Sequence, residues 1–200
     1  MALPPAVETP RLLELRAIVD RTAEKAIETW PQVTQDDYAT IGEYLVLFAY
    51  IDLNLRRIVE AAAGKGLIVE NKTKARDLKM DKVENAIQTL PGWPPVNKQA
   101  MGTLKQLRQV RNLLAHFGVK RFPNDDAYLF LTKSAEDFRK VFDTEPTVDH
   151  LMFSVVECHT LTSALAKVRH LEKWISLVAP ELVRRFHAGD LQAGDLTKST

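Results

Sequence analysis

The sequence predicts an all-α protein, an up-and-down helical bundle of about five main helices with room for one small β-hairpin. Three observations lead there. Apolar residues recur at helical spacing through several long segments. Glycine is sparse, at 8 of 200 residues, and the prolines fall mostly between the periodic segments. No sustained strand alternation and no β-α alternation interrupts the pattern, so helices must pack on helices. Composition agrees: 46% hydrophobic and 26% charged is ordinary for one globular domain, here taken as residues 1–200.

The first helix is expected from Pro10 to Thr29, with proline suited to the first helical position and Trp30-Pro31 as the stop. Thr34-Gln-Asp-Asp37 reads as a capping box opening a second helix. Ile41, Tyr44, Leu45, Phe48, Asp52, Leu55, Val59 and Ala62 then share one face, and Gly64 ends the helix after Ala63. Asp52 is the odd member, a carboxylate within an apolar stripe. It either pairs with a neighbouring cation or orients one at a polar site. A short helix follows from Asp81 to Leu90, then a rigid loop at Pro91-Gly-Trp-Pro-Pro95. The next helix runs from Asn97 to Phe117, with Gly118 as its C-terminal cap. Val119 to Thr132 alternates weakly around the turn residues Phe122–Asp126, which allows a hairpin. Ser134 can cap a helix from Ala135 to Phe142. A long final helix is expected from Thr147 through Leu151, Val155, Cys158 and Leu165 to Ile175, with Pro180 permitting a break. A fraying tail follows from about residue 189.

The single cysteine, Cys158, excludes an internal disulfide framework and a multi-cysteine zinc site, and suits a reducing cytoplasm. Its neighbour His159 is not a catalytic partner, because adjacent helical positions diverge by about 100°. No uncharged apolar run is long enough to span a bilayer, and Met1–Pro5 lacks the pattern of a signal peptide. The expectation is a cytoplasmic protein with no membrane partner, no metal and no cofactor.

Net charge is only +1, yet it is unevenly spread. Asn85 to Asn124 contains no Asp or Glu and holds Lys98, Lys105, Arg108, Arg111, Lys120 and Arg121. A local positive field of this kind suits a polyanionic partner. Within it lies Arg111-Asn-Leu-Leu-Ala-His116, at the end of a helix. On the helical wheel Leu104, Leu107, Val110, Leu114 and Phe117 face the core. The opposite arc holds Lys105, Arg108, Arg111, Asn112, Ala115 and His116. Asn112 and His116 are neighbours one turn apart, whereas Arg111 and His116 diverge by roughly 140°. These residue types fit RNA cleavage. Histidine serves as general acid or base near neutral pH, and arginine holds a phosphate through a fork of donors. Asparagine orients the imidazole or holds a phosphate oxygen. The RNA 2′-hydroxyl supplies the nucleophile.

The Arg-Asn-x-x-Ala-His run resembles the signature of HEPN-domain endoribonucleases, Arg-x4–6-His, often with Asn beside the Arg. The resemblance implies a small helical bundle with the motif at the end of a later helix. It implies homodimers in which two motifs meet across an interface, so that divergent Arg111 and His116 are each completed by the partner copy. Implied too is metal-independent cleavage to 2′,3′-cyclic phosphate and 5′-hydroxyl ends. Many members are toxins or defence effectors with an antitoxin or other regulatory partner. Arg111, His116 and Asn112 would be catalytic. Lys105, Arg108, Lys120 and Arg121 would bind RNA, and Asp52 would be an additional orienting residue. The alternative is a non-catalytic HEPN-like module that binds RNA, a nucleotide or a protein.

Overall fold

A computed structural model describes residues 9–90, 93, 95–142 and 151–190. Among them are eight helices and one three-stranded sheet, so the chain is mostly helical. Contacts group the chain into two compact units, one of Met1–Val46 with Lys105–Val168, the other of Leu47–Leu104 with Arg169–Thr200.

The first unit opens with α1 (Pro10–Arg21) and α2 (Glu24–Glu28), where the sequence suggested one helix. Thr22 makes the break. Its backbone is extended, and its hydroxyl donates to the Ile18 carbonyl at 2.7 Å. Its N–H donates to the Val19 carbonyl at 3.0 Å, a tightened last turn that closes α1 before the chain extends. α3 (Gln35–Ala63) begins as expected. The Asp37 N–H donates to Thr34 Oγ1 at 3.2 Å, and the Thr34 N–H donates back to the Asp37 carboxylate at 2.7 Å.

α6 (Pro95–His116) matches the expected motif helix and runs almost directly into β1 (Gly118–Arg121). Gly118 is therefore no left-handed cap. It pairs with Leu131, and a Cβ there would meet only ordinary contacts. A turn with Asn124 at φ 62° leads to β2 (Ala127–Thr132), so the hairpin is real. The expected turn thus rests on an asparagine tolerant of left-handed backbone. Ser134 caps α7 (Ala135–Phe142), accepting from the Asp137 N–H at 3.1 Å.

β3 (Met152–Glu157) departs from the expected helix. The proposed helix start at Thr147 lies outside the described residues, as do Pro91, Gly92, Pro94 and His150. Leu151 and Val155 fit a 3.6-residue period, but Phe153, Val155 and Val156 favour a pleated, packed surface. β2 forms the middle of the antiparallel sheet and is buried on both faces. Leu129 and Val155 pack with Leu12, Leu15 and Val19, and Tyr128, Phe130 and Val156 are buried as well. Burial on both faces explains why its alternation is weak. α8 (Cys158–Ala188) then starts at the cysteine.

The second unit contains the later part of α3, α4 (Lys72–Asp77), α5 (Met80–Gln88), the first half of α6 and the later part of α8. Phe48, Ile51, Leu55, Ile58, Val83, Ile87, Ile175 and Phe186 are almost fully buried in it. Trp93 and Trp174 meet edge to face with ring centroids 5.9 Å apart. α4 was not expected; Asn71 caps it by accepting from the Lys74 N–H. Pro180 does not break α8, although it has no N–H to donate to the preceding turn. Gly189, with φ 79°, follows the end of that helix.

A buried carboxylate, Asp37, organises the first unit. It accepts from Arg121 Nε and Nη2 at 2.9 and 2.8 Å and from the Tyr128 hydroxyl at 2.7 Å. Burial opposes its charge, but these donors and Thr34 outweigh that and hold its pKa at about 2. Replacing Asp37 with Ala would leave the Tyr128 hydroxyl without its acceptor and take from Arg121 its buried partner, and should cost about 3 kcal/mol in urea unfolding. The native protein should lose this stabilisation as pH falls from about 4, the unfolded value, through 2, whereas the variant should lack that component of acid sensitivity.

Candidate functional site

The core stripe of α6 is as expected. Leu104, Leu107, Val110, Leu114 and Phe117 are buried, and Leu113 joins them with no exposure at all. Burial of this face sends Arg111, Asn112 and His116 to the other side, where the last two meet α7.

His116 Nδ1 lies 3.3 Å from Asp137 Oδ1. The two side chains are 29% and 25% exposed, so the pair is sheltered yet reachable by solvent. Asp137 is the third residue of α7, beside the Ser134 cap and the positive end of the helix. Burial works against its charge. Hydrogen bonds from Ser134 and Lys140, with the Lys140 and His116 charges, nonetheless hold it below the ordinary carboxylate value. Lys140 reaches Asp137 at 3.3 Å and Glu136 at 2.9 Å.

Asn112 Nδ2 donates to the Lys140 carbonyl at 3.1 Å, near the end of α7. Its Oδ1 accepts from Arg111 Nη1 at 3.2 Å. Asn112 therefore joins two of the sequence-predicted residues to α7. Beneath them Phe117 packs edge to face on Phe142, with ring centroids 6.2 Å apart, and Phe138 lies 4.7 Å from Phe142. The structure sets Asn112, which holds Arg111, against the end of α7 and His116 against Asp137 in its first turn, a residue that sequence reasoning missed. Its signal was present in Ser134-x-x-Asp137, a cap whose acidic member also meets a histidine.

The remaining candidates divide. Lys105 is exposed and Arg108 half-buried on α6. Lys120 instead donates to the carbonyls of Glu28 and Trp30, at 2.8 and 3.3 Å. Arg121 holds Asp37 and Asp126, approaches Cys158 Sγ at 2.8 Å, and stacks over Tyr128 at 4.8 Å. These two cations, read as RNA-binding, are engaged within the fold, because β1 carries them onto α2 and the start of α3. Cys158 shares that network. Burial, with the hydrogen bond to Asp126, pushes its thiol up to about 12, so it stays protonated and inert at neutral pH. Asp52 is half-buried beside the fully buried Ile51 and Leu55, at the margin of the stripe and not within it. It belongs to the second unit, whereas Arg111–His116 belongs to the first.

Among the described residues no group of three His, Cys, Asp or Glu is placed to hold a metal ion. No described helix is long and apolar enough to cross a membrane. Comparisons with protein-family models, with curated proteins and with solved structures give no match.

Asn112 should matter to the docking of α7. Replacing it with Ala should cost about 1 kcal/mol by urea unfolding. Hydrogen exchange should rise in α7 ahead of the rest of the first unit. Uniform exchange across the unit would show that the amide does not hold α7 locally.

Proposed function

We propose that the protein is a metal-independent endoribonuclease of the HEPN type, with His116 and Arg111 as its catalytic residues. The reading is supported by one observation above the others: a carboxylate, Asp137, sits on Nδ1 of the motif histidine. A carboxylate on one ring nitrogen fixes the orientation of the imidazole and leaves Nε2 as the nitrogen that exchanges a proton with substrate.

The chemistry follows from the residue types. The 2′-oxygen attacks the adjacent phosphorus as a base removes its proton, and the bond to the 5′-oxygen breaks as that oxygen is protonated. The products carry a 2′,3′-cyclic phosphate and a 5′-hydroxyl. His116 performs one of the two proton transfers, and Arg111 stabilises charge on the non-bridging phosphate oxygens. The Asn112 side-chain oxygen accepts a hydrogen bond from the Arg111 guanidinium. In a homodimer the second copy would supply the other proton transfer and bring an arginine across the roughly 140° that separates Arg111 from His116 on one helix. Lys105 and Arg108 would bind the RNA backbone. A role as a toxin or defence effector, and an antitoxin or regulatory partner, belong to the same proposal.

One observation favours a second reading, a non-catalytic helical module that binds RNA, a nucleotide or a protein. The Asn112 amide and the His116 ring both contact α7, as purely structural residues would.

Single-stranded RNA incubated with the protein in excess EDTA distinguishes the two. The native chain should cleave it and leave cyclic phosphate ends. His116→Ala should lower the rate by at least about 100-fold with unchanged circular dichroism, and Asp137→Asn should lower kcat by about 10-fold with little change in KM. Salt-dependent RNA binding without cleavage would favour the module. Equal cleavage by the native protein and His116→Ala would remove His116 from the site.

A further inference from the structure

The second unit contains a cavity of about 560 Å³ that plays no part in the chemistry above. Its size is that of a small-molecule site, in the usual range of about 300–1,000 Å³. Its walls come from the later turns of α3, the start of α4 and the end of α8. The lining is divided in character. Ala61, Ala179, Pro180 and Val183 give an aliphatic wall, of which Ala179 is only 1% exposed. Arg57, Lys65 and Lys72 add three exposed cations.

One carboxylate, Glu60, also lines the cavity, and it is already 3.8 Å from Arg76. Lys65 Nζ approaches the His187 carbonyl at 3.4 Å, near the end of α8. Arg57 and Lys72 have no side-chain hydrogen bond or ion pair among the described residues. Two cations without a structural task therefore stand beside an aliphatic wall. No Phe, Tyr or Trp is among the lining residues, so there is no face on which a nucleobase or other flat ring would stack.

Pro180 adds to this. A proline inside an α-helix removes one backbone hydrogen bond and so destabilises the helix. α8 carries that cost at the position where the proline ring forms part of the cavity wall. The ring supplies rigid apolar surface where an alkyl chain would lie.

We infer that this cavity binds a small aliphatic anion, an acidic head group on an unbranched alkyl body. Arg57 and Lys72 take the head group, and Ala61, Ala179, Pro180 and Val183 take the chain. A carboxylate and a phosphate monoester share this chemistry, and the guanidinium of Arg57 can pair with either.

Titration calorimetry on the full chain tests the assignment, with decanoate, decyl phosphate and decylamine each kept below its micellar concentration and decanol below its solubility limit. Decanoate or decyl phosphate should bind with saturable one-to-one stoichiometry, and the tighter of the two identifies the head group. Decylamine and decanol should bind at least 10-fold more weakly. The double variant Arg57→Gln/Lys72→Gln changes two exposed side chains and should keep the native circular dichroism. It should weaken binding of the anion at least 10-fold. Resonances of Val183 and His187 should shift during the titration of the native protein. Equal binding of decanol, equal binding by the double variant, or saturable binding that leaves Val183 unmoved would each overturn the inference. So would the absence of binding by both anions at millimolar concentration.

Discussion

Asp37 is the constraint on which the first unit depends. Its side chain is 5% exposed and yet charged, a state that needs every oxygen lone pair engaged. Thr34 supplies the local donors from the cap of α3, while Arg121 and Tyr128 supply distant ones from paired positions on β1 and β2. The hairpin register and the start of α3 therefore determine each other. A slip of one residue in the hairpin would turn Arg121 and Tyr128 to the opposite face and leave the carboxylate buried without its partners.

This requirement bears on the candidate site through the chain itself. β1 begins two residues after His116, and β2 ends two residues before Ser134. With the register held, the start of α7 is held as well. The Ser134 cap then sets the rotation of the first turn and presents Asp137 at its third position. The carboxylate beside His116 is thus placed by paired strands and a helix cap, not by a long loop. Elements of this kind hold geometry better than loops do, and proton transfer demands such geometry.

Much of this was legible in the sequence. The capping box at Thr34 and the cap at Ser134 are local chemistry, and each can be read from four residues. The motif helix was legible because Leu104, Leu107, Val110 and Leu114 repeat cleanly. What could not be read depends on tertiary context. Residues 152–157 satisfy a helical and a strand pattern equally, and only pairing with β2 decides between them. The charge of Arg121 was visible but its use was not, since its partner Asp37 is 84 residues away in the chain. Lys120 and Arg121 show the limit of charge counting: an acid-free segment is not a basic surface when its cations serve the fold. The His116–Asp137 pair was hidden for the same reason, because the two residues meet only once the hairpin has turned the chain back.

The division of cations sharpens the chemical argument. With Lys120 and Arg121 engaged internally, the phosphate contacts of the proposed function come chiefly from Lys105, Arg108 and Arg111 on α6. All three lie on the arc opposite the buried stripe, and Arg111 is joined through Asn112 to the residues that position His116. A narrow basic strip of this kind is a poor platform for long electrostatic binding, since affinity for a polyanion grows with the number of phosphates engaged. It suits brief contact with one or two phosphates beside an imidazole already oriented by a carboxylate. Under the proposed function, such an arrangement favours turnover, where product must leave, over storage or sequestration of RNA.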